Sequence, residues 1–264
     1  MGNQLKSKKV IVTGASSGIG EKLAWHIAEQ GGIPIMLARS IDKLEVIQRQ
    51  IKDTFGIAAA CYKVDLLDEA DRVAVFEHLL REHAPVHGLV NNAGAGLFVN
   101  VEDMQWGDTR KMFELNVFAL IQGTQQVLTH LLANGEGHIV NIASQAGKMA
   151  TPKSSIYAST KHAVLGFTNA LRMEVASRNI MVTAVNLGPV QTNFFADADP
   201  SGSYQKKIAS YMLDPDQVAK KIVSNLFKKK REINMPRWME AGSKLHALFP
   251  SALESVLKNQ FNKK

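Results

Sequence analysis

The chain is predicted to fold as an α/β protein: one doubly wound domain, with a parallel sheet of about seven strands and helices on both faces. Three observations carry this prediction. Short β-branched runs alternate with helical patterns from the start of the chain to about residue 235. The runs are apolar throughout, as strands covered on both faces are, and do not alternate with polar residues. No repeat and no low-complexity linker divides the 264 residues, a length that one compact domain can reach.

Val10-Ile11-Val12 is the first buried strand, and a helix follows through Leu23, Ala24, Ile27 and Ala28 until Gly31-Gly32 stops it. Ile35-Met36-Leu37 is the second strand. Leu44, Ile47 and Ile51 then recur at three- and four-residue spacing, which marks a helix. Further strands are expected at 59–64, 88–91, 138–142 and 181–186, with helices near 68–82, 107–133 and 155–177. Residues 189–213 depart from the alternation, mixing Phe194, Phe195, Asp197, Asp199, Pro200 and Gly202. A loop of that length in a compact domain is often a lid, so this one is expected to bind substrate. Residues 240–264 form a C-terminal helical extension with Leu245, Leu248, Phe249, Ala252, Leu253, Val256 and Leu257 on one face and a break at Pro250. Residues 1–7 are expected to be a short solvated lead-in.

Composition bounds the function. Cys61 is the only cysteine, which excludes an intramolecular disulfide and a multi-cysteine metal site and fits a reducing, cytoplasmic setting. No metal site is expected. No run of about 18 apolar residues is present, so no spanning helix is predicted. The N-terminus lacks the apolar core of a secretory signal, and Lys6 stands where a myristoylation pattern needs Ser or Thr. The net charge of +7 favours anionic partners: phosphorylated cofactors, acyl carriers, acidic lipid or nucleic acid. No nucleic-acid-binding module accompanies the charge, so that class is set aside.

Thr13-Gly14-Ala15-Ser16-Ser17-Gly18-Ile19-Gly20 follows the first strand directly and opens the first helix. Glycines at Gly14, Gly18 and Gly20 permit a tight turn and close backbone approach to a pyrophosphate. The helix N-terminus adds free N–H groups and a positive dipole. The end of the second strand selects the nucleotide: an Asp or Glu there would hold the ribose 2′-hydroxyl of NAD. This chain has Ala38, Arg39 and Ser40, and the fork of Arg39 can pair a 2′-phosphate, with Lys43 one turn on. NADP(H) is the expected cofactor. Asp65, after the third strand, is a candidate contact for the adenine ring, or equally a cap for the helix starting near Asp68.

Tyr157-Ala158-Ser159-Thr160-Lys161 lies at the start of a strong helical pattern, and residues four apart share a helix face. An ammonium near a phenol favours the phenolate and is expected to lower its pKa. A tyrosine so tuned can take a proton from an alcohol or return one to a carbonyl oxygen. Ser144 can hydrogen-bond the same substrate oxygen, and Asn116 can hold a water linking Lys161 to solvent. Tyr-x3-Lys by itself is most often a surface pair; it gains weight only with the other parts in order.

The parts are in order. The chain resembles the short-chain dehydrogenase/reductase superfamily, of Rossmann type, from Lys8 to about Pro236. The resemblance is carried by the glycine-rich turn, Asn91-Asn92-Ala93-Gly94, Asn116, Ser144, Tyr157 with Lys161, and Gly188-Pro189-Val190-Gln191-Thr192. It implies a catalytic tetrad of Asn116, Ser144, Tyr157 and Lys161. It implies a cofactor site of Gly14, Ser16, Ser17, Gly18, Ile19, Gly20, Arg39, Asp65, Asn92, Ala93 and Gly94, with Tyr157, Lys161 and Thr192. In this resemblance Lys161 also meets the nicotinamide ribose and Thr192 the carboxamide, while the Asn91 stretch steadies the central sheet. Two departures stand out: Asn186-Leu187-Gly188 replaces the usual Asn-Pro-Gly, and Ser16 stands where NADP-preferring members often carry a basic residue. NADP preference therefore rests mainly on Arg39.

The expected function is hydride transfer between NADP(H) and a carbonyl or secondary alcohol, on a small-molecule substrate made lipophilic by Leu97, Phe98, Met149, Phe194 and Phe195. A 3-oxoacyl-(acyl carrier) reductase is the alternative that the positive charge favours. A non-catalytic NADP-binding sensor or scaffold is the alternative of another class. Surplus apolar residues on the long helices, including Phe113, Leu120, Phe167 and Leu171, together with the resemblance, imply a homodimer or homotetramer. The apolar face of 240–264 has three possible destinations: the substrate cleft, which is favoured, a neighbouring subunit, or weak peripheral attachment to an acidic membrane.

Overall fold

The computed structural model of the protein describes residues 4–199 and 201–261, with side chains through residue 255. Seven strands form one parallel sheet: β1 (Lys9–Thr13), β2 (Ile33–Ala38), β3 (Ala60–Lys63), β4 (Gly88–Asn91), β5 (Gly137–Ile142), β6 (Ile180–Leu187) and β7 (Glu232–Met235). The helices are α1 (Gly18–Glu29), α2 (Ile41–Phe55), α3 (Glu69–Glu82), α4 (Trp106–Phe113), α5 (Ala119–Asn134), α6 (Ser155–Glu174), α7 (Phe194–Ala198), α8 (Ser203–Ile208), α9 (Pro215–Val223), α10 (Arg237–Leu248) and α11 (Pro250–Phe261). A π turn at Glu114–Phe118 joins α4 to α5 in one helical run. Among the described residues no helix is long and apolar enough to cross a membrane.

Strand order in the sheet is β3-β2-β1-β4-β5-β6-β7. The chain first winds outward from β1 through β2 to β3, then returns to place β4 on the other side of β1. Order reverses between β1 and β4, which is where a doubly wound sheet opens a crevice outside the carboxyl ends of its strands. Thr13 and Asn91 stand at those ends.

Successive strand residues serve opposite faces, which is why the runs need no polar positions. Val10 and Val12 pack with Leu23, Ile27, Leu44 and Ile222 from α1, α2 and α9. Ile11, between them, packs with Phe76, Leu79, Val127 and Leu171 from α3, α5 and α6. Local signals set the ends. The Asp68 carboxylate caps α3 by accepting from the N–H groups of Ala70 and Asp71, and Asp214 caps α9 ahead of Pro215 at its first position. Gly56 stops α2 at φ +69° and Gly135 stops α5 at φ +73°, the left-handed conformation that favours glycine.

Four expectations are corrected. Residues 4–7 are a solvated lead-in only in part: Gln4, Lys6 and Ser7 are exposed, but Leu5 is buried in the core beneath α1 and Ser7 donates its N–H to Gly31 O, while residues 1–3 lie outside the described residues. Residues 189–213 are not an open loop but a flap of two short helices, α7 and α8. Its ends are stapled by the Val190–Leu213 bridge, with Gln191 N donating to Leu213 O and Leu213 N to Pro189 O. Leu120 and Leu171 are not surplus, being buried in the chain's own core; the exposed apolar residues on the long helices are Trp106, Phe118 and Met173. The apolar face of the C-terminal extension is only partly covered: Leu253 is half-buried, while Leu245, Leu248 and Phe249 are exposed. The side chains of Val256 and Leu257 lie outside the described residues. The helix break does fall at Pro250.

Candidate active site

The crevice at the β1–β4 switch is built on the glycine turn. Gly14 and Gly18 hold φ +66° and +57°. A Cβ on Gly20 would stand 2.2 Å from Gly14 O, and one on Gly18 would meet Thr192 Cγ2 at 3.1 Å. Only glycines close the turn this tightly, and the same lack of side chains brings Thr192 over it. Ser17 is the N-cap of α1 in extended backbone with no side-chain cap bond, so its hydroxyl leaves the first N–H groups of α1 uncapped. The turn is fixed from the other strand: Asn92 Nδ2 donates to Thr13 O at 2.9 Å and to Gly14 O at 3.2 Å. Arg39 follows β2 directly and is exposed, with Lys43 exposed on the first turn of α2. Asp65 is half-buried after β3, its Oδ1 accepting from Leu67 N, while Asp68 caps α3. These residues fit a dinucleotide with an additional phosphate: a pyrophosphate cradle that a Cβ would fill, and Arg39 in place of a carboxylate directly after β2.

The catalytic candidates meet on the far side of the crevice. Tyr157 and Lys161 share one face of α6, and Lys161 Nζ lies 5.7 Å from the Tyr157 ring centroid. Lys161 is buried and donates to Ile142 O at 2.9 Å. Ser144, at the end of β5, hydrogen-bonds the Tyr157 side chain and accepts from Ala146 N at 3.1 Å. Asn116 lies in the π turn; a Cβ on Gly94 would sit 3.2 Å from its Oδ1 and 3.6 Å from Lys161 Nζ, so Gly94 is the narrow gap between them. The Asn116 amide is fully engaged: Oδ1 accepts from Ala95 N, and Nδ2 donates to Ala95 O and Thr160 Oγ1. Both side-chain N–H groups thus fix the strand-end segment to α6.

Electrostatics differ from the expectation for Tyr157. Burial pushes its phenol up to about 12, against a smaller downward pull from the Ser144 hydrogen bond. Burial likewise brings the Lys161 ammonium down to about 8. The lysine directs a proton at the backbone carbonyl of Ile142, and desolvation is the larger influence on both groups.

A cavity of about 570 Å³ opens on Tyr157 and Ser144. Phe98 and Phe194 flank the tyrosine, ring centroids 5.7 and 5.8 Å away. Phe195, Met149, Tyr204 and Tyr211 continue the lining, and among the described residues Lys161 is its one charged side chain. Phe98, Met149, Phe194 and Phe195 are thus brought together as expected, while Leu97 is not part of the wall. Sequence reasoning missed Gln145, Tyr204, Tyr211, Trp238 and Met239. The last two come from α10, whose place over the cavity follows from the path of the chain after β7 and leaves no local motif. Among the described residues no group of three or more His, Cys, Asp or Glu is placed to hold a metal ion.

Comparison with known proteins bears on this geometry. The short chain dehydrogenase family profile matches residues 8–201. An uncharacterized oxidoreductase of Bacillus subtilis, YusZ, is 32% identical, with 97% of this chain and 99% of the relative covered. The NADP-dependent 3-hydroxy acid dehydrogenase of Schizosaccharomyces pombe is 34% identical over 73% of this chain and 75% of its own. A solved short-chain dehydrogenase from Sphingobium yanoikuyae in complex with NADPH has a TM-score of 0.79 at 26% identity, with 92% of this chain and 95% of that chain covered.

The buried ammonium yields a testable sign. Lys161 holds its proton to about pH 8 in the folded protein and to its ordinary 10.5 once unfolded. Between those values the unfolded chain binds the extra proton, so the stability attributable to Lys161 rises with pH across that window. Urea unfolding of the wild type and Lys161→Met should show the wild type gaining on the variant as pH climbs through it. A difference independent of pH would refute the buried ammonium.

Proposed function

This chain belongs to the short-chain dehydrogenase family, and we propose that it moves hydride between NADP(H) and a lipophilic carbonyl or secondary alcohol, with Tyr157 as general acid and base. It is an NADP(H)-dependent oxidoreductase; the substrate class and the residue roles are the proposal. The single observation that carries it is the cavity, where the Tyr157 phenol, hydrogen-bonded by Ser144, lines a mostly apolar sleeve whose only charged lining group among the described residues is Lys161.

Bound NADP(H) supplies the hydride in reduction and accepts it in oxidation. The glycine turn from Gly14 to Gly20, with the N-terminus of α1, would hold the pyrophosphate, and Asn92, Ala93, Gly94 and Thr192 would border the nicotinamide end. Arg39 would pair the 2′-phosphate. In reduction the Ser144 and Tyr157 hydroxyls converge on the carbonyl oxygen, and Tyr157 Oη delivers its proton there. A phenol with a pKa near 12 stays protonated across the physiological range, which suits it to act as the acid. The phenolate left behind gains the attraction of the Lys161 ammonium, and in alcohol oxidation it takes the proton back. Lys161 would also reach the nicotinamide ribose. Asn116 positions Ala95 and α6 and so sets the distance between the two halves of the site. The aromatic wall excludes water and favours an uncharged substrate body.

The acyl-carrier reading retains one observation in its favour, the net charge of +7, which suits an acidic carrier. A panel of free ketones against acyl-carrier thioesters, followed by loss of NADPH absorbance, decides between them. Tyr157→Phe should abolish turnover on the accepted class while sparing NADPH binding. A variant retaining more than about a tenth of wild-type activity would remove Tyr157 from the role of acid.

Arg39 gives an independent test. NADPH should bind more tightly than NADH, and Arg39→Ala should narrow the gap by about 1–3 kcal/mol, the usual worth of a charged hydrogen-bonded pair. Equal affinities in the wild type would refute the assignment.

The lone Cys61 supports placement in the cytoplasm. Exposed Trp106, Phe118 and Met173 on α4, the π turn and α6 support pairing of subunits into a dimer or tetramer. Light scattering at micromolar concentration should give a multiple of 29.0 kDa, and a monomer mass would refute it.

A further inference from the structure

Helix α10 is amphipathic the wrong way round for a helix that merely covers a globular surface. Its inner side carries Met239 and Gly242, which line the cavity, and Ser243, which is 4% exposed. Its outer stripe, at three- and four-residue spacing, is Trp238, Ala241, Leu245 and Leu248. Trp238 is 60% exposed, Leu245 46%, Leu248 72% and the adjoining Phe249 59%. A soluble helix puts polar residues there. Across Pro250, Ala252 is exposed too, so the apolar surface runs on into α11.

This surface is continuous with the mouth of the cavity. Trp238 belongs to both, lining the cavity while most of its side chain faces solvent, and its ring meets Tyr211 of the flap edge-on at 6.1 Å. Leu253 of α11 reaches into the same cavity.

Charge identifies the occupant. From Arg237 to Lys264 the sequence has five basic residues, Arg237, Lys244, Lys258, Lys263 and Lys264, against two acidic ones, Glu240 and Glu254. Glu240 pairs with Lys244 at 2.8 Å and Glu254 with His246 at 3.1 Å, so both acids and Lys244 are engaged within the segment, while Arg237 at the start of α10 is exposed. On the neighbouring flap helix α8, Lys206 and Lys207 are exposed. A second copy of the chain meeting this face across a two-fold axis would bring Arg237, Lys206 and Lys207 of each copy together, which is unfavourable. An acidic lipid surface takes both halves of the pattern: leucine, phenylalanine and tryptophan into the acyl boundary, and lysine and arginine at the headgroups.

We propose that α10 and the start of α11 dock the protein on an anionic membrane surface, with the mouth of the substrate cavity turned toward the lipid. A lipophilic carbonyl dissolved in the bilayer then reaches Tyr157 past Trp238 without crossing water. The docking goes beyond the catalytic reading and can fail or hold without it.

The test is sedimentation of the full chain with phosphatidylcholine vesicles, with and without phosphatidylglycerol. Binding is expected only when phosphatidylglycerol is present and should weaken as salt rises. Leu248→Asp together with Phe249→Asp should lower the bound fraction by about tenfold or more. Both residues lie outside the cavity lining, so turnover of a small water-soluble ketone and the thermal melt should stay at wild-type values. Leu248→Ser with Phe249→Ser is the gentler pair should the aspartates disturb folding. Wild-type protein that stays in the supernatant with acidic vesicles, or variants that sediment as well as the wild type, would overturn the proposal. A fall in the variants' mass by light scattering would overturn it too, by making this face a subunit contact. Loss of ketone turnover in the wild type, with vesicle binding intact, would count against the catalytic reading alone.

Discussion

The Thr13 hydroxyl is the contact on which the rest of the structure depends. It is buried at the end of β1 and accepts the N–H groups of Asn92 and Ala93 at 3.0 and 3.1 Å, just beyond the end of β4. Those half-buried N–H groups have left the strand ladder, and this hydroxyl is the partner that replaces it. One small side chain thus ties the two strand ends at the point where the winding reverses. Asn92 returns the tie by donating to Thr13 O and Gly14 O. The glycine turn, Gly94 and the segment leading to Phe98 all take their positions from this junction.

A second polar layer lies beneath it. Asn91 Nδ2 donates to Thr124 Oγ1 and Asn141 Oδ1, and Asn141 Nδ2 to Thr168 Oγ1, all buried. This short ladder joins β4 and β5 to α5 and α6 through directed bonds, whereas apolar packing alone would tolerate sliding. Asn116 and the Tyr157–Lys161 pair reach the site from two different helical runs, so their spacing is only as fixed as those helices are on the sheet. The ladder, with the Asn116–Thr160 bond above it, supplies that fixing.

The sequence revealed most where a residue type is forced by local geometry. Gly14, Gly18 and Gly20 could be read because no other residue closes that turn, and Gly31-Gly32, Asp68 and Pro250 because they end or begin helices. Strands 88–91, 138–142 and 181–186 agree with the observed ones to within a residue at each end, since apolar β-branched runs bounded by polar residues have little choice. What stayed hidden depends on contacts distant along the chain. Leu5 reads as part of a solvated lead-in until it is seen against the Ile27 and Gly32 side of α1. The helix Pro215–Val223 is short, and its packing against α1 is tertiary. Tyr157 and Lys161 were recognisable as a pair, but the direction of the tyrosine's shift was not: spacing gives proximity, whereas desolvation depends on everything packed around both groups.

The π turn at Glu114–Phe118 places one more residue in the α4–α5 run than a regular helix would hold. A residue is worth about 100° of rotation, since an α-helix has about 3.6 residues per turn. Were that surplus deleted, everything downstream would swing by that angle. Gly123, which accepts the edge of the Phe76 ring, and Val127 and Leu131 behind it would turn off the sheet. Asn116 would turn off Ala95 by the same motion. The helical run therefore works as a key cut to one length, with the bond that shapes the site and the packing that holds the fold on the same rotation. Between Trp106 and Asn134, chain length is locked.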